Sequence, residues 1–211
     1  MATEPTYTVR PATVDDVPAM VDVWYHAFNS PKTFLQFPNT PAGGAWIAEG
    51  LSRGIREKPY PTHVVVVKDD PAAKTKTVVA LARYVIHEGG SHIPGWRERW
   101  VEKLVPGMNE DWLGPQFFEP MEHQHTVAME NRPHIFLEML ATHEDHRGLS
   151  LGSKLLDWGN EEADRRGWEC YLDATLKAVS LYERHGYVAQ PFQAKGTPSI
   201  PMVRPAKKQE S

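Results

Sequence analysis

The stretch FLEMLATHEDHRGLSLGSKLLDWG, residues 136–159, decides the fold prediction. An apolar run, predicted as a strand over 134–142, ends in a polar loop that carries Arg-Gly-x-Ser-x-Gly. The chain then turns at once into a pattern with helical periodicity over 151–166, which Gly167 ends. A second strand is predicted at 168–175. Together these elements form a βαβ unit.

The loop between strand and helix has the features of an anion site. A glycine-rich turn into a helix directs free N–H groups and the positive end of the helix dipole at one spot. Gly148 and Gly152 permit close approach of a ligand to the backbone, and Arg147 could bind a phosphate oxygen. Ser150 could cap the helix or donate to the anion. A plain turn with an exposed arginine is the equally open alternative, and the spacing fits neither a P-loop nor a Rossmann loop.

The rest of the chain continues the alternation of strands and helices. Other strands are predicted at 6–11, 62–69 and 76–88, helices at 14–30, 41–58 and 176–186, and closing edge strands at 187–195 and 198–205. The short loop between the strands at 62–69 and 76–88 predicts an antiparallel pair. The fold class is therefore α/β, with a mixed sheet.

The segment 89–133 lacks a sustained period and is predicted to be an insertion of short helices and loops. It is rich in Trp and Phe and has seven acidic against four basic residues. An acidic, aromatic segment beside an acceptor site would suit an amine-bearing cation. A packed cover over one face of the core, with its charges solvated, is the alternative.

Composition limits the functional classes. The 211 residues carry a net charge of −4, without the basic field of a dedicated nucleic-acid binder. One cysteine permits no internal disulfide, and no run of 18 apolar residues or N-terminal apolar segment is present. We expect a cytoplasmic protein without a nucleic-acid or membrane partner. One domain is predicted over 1–205, with a frayed tail at 206–211.

The order of motifs resembles the GNAT superfamily of acyl-CoA-dependent N-acetyltransferases, most closely its fungal members. Its pyrophosphate loop has the form [QR]-x-x-G-x-[GA], which Arg147 and Gly152 match at the ends, while Ser150 replaces the first glycine. The segment SLYERHGY, 180–187, is similar to the family's L-Y-x-x-x-G-F. The resemblance implies a GNAT-like fold: a mostly antiparallel central sheet with one parallel βαβ unit, flanked by helices.

The resemblance also implies a set of residues that bind acetyl-CoA. Backbone groups of the strand before the loop would bond the pantetheine arm, and loop amides would hold the pyrophosphate. Thr175 replaces a cofactor-contacting asparagine of many relatives. The implied residues are Leu140, Ala141, Thr142, Arg147, Gly148, Leu149, Ser150, Leu151, Gly152, Ser153 and Thr175.

Two residues are candidates for catalysis by the same resemblance. Tyr182 would be the general acid that protonates the leaving thiolate, although a core aromatic role is its alternative. Glu138 interrupts an apolar strand, where alternation would place it on one face with Phe136, Leu140 and Thr142. It would be the general base, or else the partner of an arginine.

The remaining reactive side chains are interpreted as structural. His123, His125, His143 and His146 lack the spacing of an established metal site, so they are predicted to be solvated and no metal is expected. Cys170 is predicted to be buried. Asp173, on the opposite face of its strand, could line the cleft or cap the next helix.

These observations predict an acetyl-CoA-dependent N-acetyltransferase that acts on a small primary amine by direct attack in a ternary complex. The protein would be a monomer or a homodimer. The alternatives are a different acyl-CoA, a hydroxyl acceptor, or a non-catalytic acyl-CoA-binding or regulatory protein that keeps the loop without turnover.

Overall fold

The computed structural model describes residues 4–57, 62–90, 94–101 and 103–207. Within them a single seven-stranded sheet has the order β1-β2-β3-β4-β5-β7-β6. Its strands are β1 Thr6–Pro11, β2 Thr62–Asp70, β3 Thr75–His87, β4 His134–Thr142, β5 Glu169–Ala174, β6 Val188–Ala189 and β7 Ile200–Arg204. Only β4 and β5 pair in parallel, and every other neighbouring pair is antiparallel. The mixed α/β prediction is confirmed.

Helices flank the sheet on both faces. They are α1 Val17–Ala27, α2 Pro31–Phe34, α3 Pro41–Arg56, α4 Trp96–Arg99, α5 Glu110–Trp112, α6 Glu119–Met129, α7 Leu151–Arg166 and α8 Val179–Arg184. Short 3₁₀ turns lie at Val14–Asp16, Glu144–His146 and Leu176–Ala178, and a π-helical segment lies at Leu113–Phe118. The 3₁₀ turn Val14–Asp16, which leads into α1, begins where Thr13 N–H donates to Asp16 Oδ2 at 2.8 Å, a capping interaction.

The alternation of β3 side chains separates two faces of the sheet. Leu81 belongs to the buried cluster of α1 and α3, and Val85 to a smaller cluster with α6. We call this the α6 face. Tyr84 points the other way, into the cluster formed by α7 and α8, which we call the α7 face.

A β-bulge interrupts β4 at Glu138. Across the β3 ladder Arg83 faces Met139 and Tyr84 faces Leu137, so Glu138 is the extra residue. Because of the bulge, Leu140 packs on the α7 face while Met139 lies on the α6 face. The prediction that Phe136, Glu138, Leu140 and Thr142 share one face is therefore wrong, since strict alternation ends at the bulge.

The predicted insertion packs onto the α6 face. Trp96, Trp100 and Phe118 are buried, and the Trp100 ring stacks on Trp46 of α3 with centroids 5.5 Å apart. Its aromatic residues thus extend the core, as the packed-cover alternative requires. Of the acidic residues in this segment, Glu102 lies outside the described residues.

The structure describes only part of the predicted tail. Residues 206–207 belong to no helix or strand, and 208–211 lie outside the described part of the chain. The extent of the domain and the fraying of the tail stay predictions. Among the described residues, none of the helices has the length and apolar character that spanning a bilayer demands.

Candidate active site

The loop before α7 adopts the shape that its glycine pattern predicts. Gly148 and Ser150 both have positive φ, +79° and +56°, and a Cβ at Gly148 would meet nothing within 4 Å. Ser150 is the N-cap of α7, but its side chain makes no capping hydrogen bond. The first-turn N–H groups of Leu151, Gly152 and Ser153 have no intrahelical acceptor. The loop therefore presents an uncapped, positively polarised helix end.

Arg147 does not extend freely from the loop. Its Nη2 donates to the carbonyl of Ala27 at 2.9 Å, and more weakly to that of His26 at 3.5 Å. These carbonyls lie in the last turn of α1, where a cation is favoured. Arg147 thus ties the loop to α1. The neighbouring Leu149 is exposed and Leu151 is buried.

The two parallel strands separate immediately before the loop. The β4–β5 ladder ends at Leu137–Leu172, although β4 continues five residues further, to Thr142. On the other side β4 stays paired with β3 up to Thr142. Backbone groups of Leu140, Ala141 and Thr142 that face β5 therefore have no ladder partner. The gap opens toward α7, since Leu140 packs beside Gly152.

Tyr182 lies in the buried cluster of the α7 face, next to the Tyr187 ring. Its side chain is 8% exposed, and its hydroxyl has no hydrogen-bond partner among the described residues. Burial raises the pKa of Tyr182 to about 12, so the phenol is protonated at neutral pH. Thr175 is exposed just beyond the end of β5.

Glu138 is held by two arginines. Its Oε2 lies 2.7 Å from Arg83 Nε, and its Oε1 accepts from Arg99 Nε at 2.8 Å and from Trp100 Nε1 at 3.2 Å. Burial alone would raise the pKa of Glu138, but Arg99 and Arg83 outweigh burial and hold it at about 2. A carboxylate this acidic takes up a proton poorly. The environment is the arginine-paired alternative rather than that of a general base.

Asp173 has an environment that raises its pKa, in contrast to Glu138. Sequence reasoning did not identify it as a candidate general base. It lies on the α6 face one residue beyond the last β4–β5 pair, and does not cap the next helix. Its Oδ1 accepts from Gln124 Nε2 at 2.6 Å and its Oδ2 from Tyr171 OH at 3.1 Å. Burial, only partly offset by Gln124 and Tyr171, raises the pKa of Asp173 to about 7. The signal in the sequence was an acid that interrupts the apolar run 170–174.

Comparisons with known proteins agree with this geometry. Residues 119–189 match the family model described as acetyltransferase (GNAT) domain. A search among curated proteins found no match. An acetyltransferase structure from Corynebacterium glutamicum ATCC 13032, titled histone acetyltransferase HPA2 and related acetyltransferase, is 27% identical, with 100% of both chains covered and a TM-score of 0.57.

Over residues 119–189 the chain is similar to the GNAT acetyltransferase domain. Its enzyme class is that of the GNAT-type N-acetyltransferases. Two more distant structures share the fold. PaiA N-acetyltransferase from Thermoplasma acidophilum, in complex with coenzyme A, is 11% identical over 95% of this chain and 99% of its own, with a TM-score of 0.55. Mosquito arylalkylamine N-acetyltransferase like 5b is 16% identical over 94% and 98%, with a TM-score of 0.56. The closer likeness to fungal members stays a prediction.

The histidines of the GNAT domain are not uniformly solvated. His123 is exposed, as expected, and His143 and His146 are partly buried. His125 is 3% exposed, so the prediction that it is solvated is wrong. Its position on α6 turns it toward the sheet. Cys170 is buried at 1% exposure, as predicted.

Replacement of Ser150 by glycine should stabilise the GNAT domain by about 0.5–1 kcal/mol. A side chain in the left-handed region costs about 1–2 kcal/mol, which the greater unfolded-state entropy of glycine offsets in part. Urea unfolding without ligand measures the change. Ser153→Gly, in the first turn of α7, is the matched control and should destabilise by about 0.5–1 kcal/mol. A loss of stability in Ser150→Gly would mean that the serine hydroxyl stabilises the loop.

Glu138→Gln should destabilise the domain by about 3–5 kcal/mol at neutral pH, because it leaves two arginines without their carboxylate. The folded pKa of Glu138 is about 2, below its ordinary 4.5. Its contribution is therefore complete above about pH 4.5 and is lost as the pH falls toward 2. Urea unfolding from neutral to acid pH should show this loss in the wild type and a flatter acid limb in the variant.

Glu162→Gln is the control for that measurement. Glu162 pairs with Arg165 and Arg166 on the outer side of α7, where ion pairs contribute about 0–1 kcal/mol. Equal effects of the two substitutions would contradict the structural role of Glu138.

Proposed function

We propose that the protein is an acetyl-CoA-dependent N-acetyltransferase that transfers an acetyl group to a primary amine in a ternary complex. The observation that carries the proposal is the parting of β4 from β5 at a point that opens directly onto the uncapped end of α7. A ligand with an extended arm joined to a pyrophosphate fits both features at once.

The chain's own groups match the chemistry of coenzyme A. The unpaired backbone of Leu140–Thr142 would bond the amides of the pantetheine arm as an additional strand would. The amides at Gly148–Ser153 would hold the pyrophosphate, where Gly148 leaves the backbone open to a ligand. Thr175 lies at the open end of the gap, where its hydroxyl could bind the arm. Bound acetyl-CoA supplies an activated thioester carbonyl.

The two faces of the sheet would divide the proton transfers. The acceptor amine must lose a proton as it forms its bond to the carbonyl carbon, and the sulfur must gain one as the C–S bond breaks. On the α6 face Asp173, with its pKa near 7, takes the amine proton. On the α7 face Tyr182, protonated and without a competing partner, gives its proton to the thiolate.

Asp173 replaces Glu138 in this scheme for an electrostatic reason. Both carboxylates lie on the α6 face at the point where the strands part. Arg83 and Arg99 stabilise the charge of Glu138 so strongly that it is a very weak base. Asp173 meets only neutral donors, Gln124 and Tyr171, so its basicity is matched to neutral pH.

The alternative of a non-catalytic binder is favoured by Ser150, which replaces a glycine of the family's pyrophosphate loop. The left-handed conformation of Ser150 weakens that alternative. The serine provides the backbone shape that glycine would provide.

A small amine is the acceptor that we favour; the related mosquito structure is titled an arylalkylamine N-acetyltransferase. A cytoplasmic location is also part of the proposal, supported by a single cysteine that is buried and reduced.

Thermal unfolding with and without acetyl-CoA or CoA tests the cofactor. Ligand at 100 times its Kd stabilises by about 2.7 kcal/mol, which for this length raises Tm by roughly 5–10 °C. ATP and NAD, which also carry a pyrophosphate, should give no comparable shift. Tyr182→Phe should show the same shift in Tm. With a panel of amines, its rate of CoA release should be lower than that of the wild type by about tenfold or more. No shift at millimolar CoA would overturn the proposal.

The pH dependence of CoA release tests the base. In the wild type the rate should rise with pH through about 7 as Asp173 ionises, and Asp173→Asn should lose this limb. Gln124→Leu removes a donor that lowers the pKa of Asp173, so it should move the limb to higher pH. A limb unchanged in both variants would assign the base to another group or to water.

A further inference from the structure

Three buried histidines meet on the α6 face, away from the parted strands. His87 is the last residue of β3 and lies directly across the ladder from His134, the first residue of β4. His125 reaches them from α6. All three are nearly inaccessible, at 3%, 0% and 3% exposure for His87, His134 and His125. One ring nitrogen of each lies within 4.8 Å of the others.

The hydrogen bonds of this cluster fix its donors and acceptors. His134 Nδ1 lies 2.7 Å from the carbonyl oxygen of Arg132, so Nδ1 carries the proton and Nε2 has a lone pair. That lone pair accepts a hydrogen bond from His125 Nε2–H at 2.6 Å. A metal would take the place of this proton, which the other tautomer of His125 carries on Nδ1. His87 Nε2 is buried and has no hydrogen-bond partner among the described residues. His87 Nε2 is therefore a buried nitrogen that could bind a metal without losing a hydrogen bond to the described residues.

We propose that His87, His125 and His134 form a site for a divalent transition metal of the zinc class. The bond from His134 Nδ1 to a backbone carbonyl is the outer-shell interaction that orients a metal-bound imidazole. Three neutral imidazoles suit Zn²⁺, Co²⁺, Ni²⁺ and Cu²⁺ rather than Mg²⁺ or Ca²⁺. Tetrahedral Zn²⁺ at about 2.0–2.1 Å places two nitrogens about 3.3 Å apart, so the His125 ring would move by about 0.7 Å.

The charge state of the cluster favours a metal over protons. Burial, joined by repulsion from neighbouring histidines and Arg99, lowers the pKa of His87 to about 3 and holds that of His125 well below its usual range. Burial also lowers the pKa of His134, against its bond to Arg132 and the charge of Glu169. The charges around the site are Arg99, Glu138, Arg132 and Glu169. Burial thus disfavours protonation of all three imidazoles, and the neutral form is the one that binds a metal.

The site would fasten α6 to the edge formed by β3 and β4. Gln124 immediately precedes His125 on α6, and its carboxamide binds Asp173 and the backbone N–H of Ala194. A metal that fixes His125 would therefore also position Gln124. The site itself stands on the histidine geometry and does not depend on the proposed catalytic role of Asp173.

A second group of potential ligands, Asp22, His26 and His143, provides the internal control. It is open to solvent, and His26 already pairs with Glu144 at 2.9 Å. The bond to Glu144 raises the pKa of His26. His26→Gln therefore controls for metal bound at exposed histidines rather than at the buried cluster.

The test uses the full chain, stripped by a chelator, dialysed and incubated with one equivalent of Co²⁺ or Zn²⁺. We expect one bound metal per chain, the visible absorption of tetrahedral Co²⁺, and a higher Tm. His87→Gln and His125→Gln should each weaken binding by more than about 100-fold. His123→Gln, on the exposed side of α6, and His26→Gln should bind as the wild type does.

Circular dichroism without metal establishes that each variant is folded. Should one of the two buried variants fail to fold, the other carries the test. Sub-stoichiometric binding by the wild type, unchanged binding in His87→Gln and His125→Gln, or loss of binding in His26→Gln would each overturn the proposal. The cluster would then be a hydrogen-bonded histidine triad only.

Discussion

The ion pairs of Glu138 with Arg83 and Arg99 are the interaction on which the candidate site depends. Glu138 is the extra residue of a β-bulge, and the ladder between β4 and β5 ends one residue before it. The bulge bends β4 away while the arginines hold the bulged side chain in the core. Since Arg99 belongs to the segment between β3 and β4, the same contact anchors that segment. A buried, ion-paired carboxylate thus shapes the gap.

The sheet acts as a partition between two electrostatic environments. On the α7 face an uncapped helix end and two left-handed loop residues favour an anion, and the nearby phenol of Tyr182 is neutral. On the α6 face Asp173 titrates near pH 7. The parted strands form the passage between these faces. A thioester on one side and an amine on the other would then approach each other without sharing an entrance.

The sequence predicted the elements that follow from local patterns. Leu151–Arg166 was predicted to its terminal residues because an apolar stripe and Gly167 define the helix locally. The sequence could not decide between the two roles given for Glu138, because nothing near it shows that Arg83 and Arg99 lie beside it or that a bulge breaks the alternation. Asp173 was underestimated for the same reason, since its partner Gln124 is 49 residues away. The helix boundaries depend on residues that are close in the sequence, whereas the pKa values of Glu138 and Asp173 depend on residues that are distant in the sequence.

The segment 89–133 illustrates how one insertion can serve several sites. Its first part supplies Arg99 and Trp100 to Glu138, and its last helix supplies Gln124 to Asp173 and His125 to the buried histidines. Successive residues of α6 thus face two different polar clusters. A rotation of α6 that broke one cluster would also displace the other. The positions of α6 and of Asp173 are consequently coupled, and any group that fixes the histidines restricts the carboxylate as well.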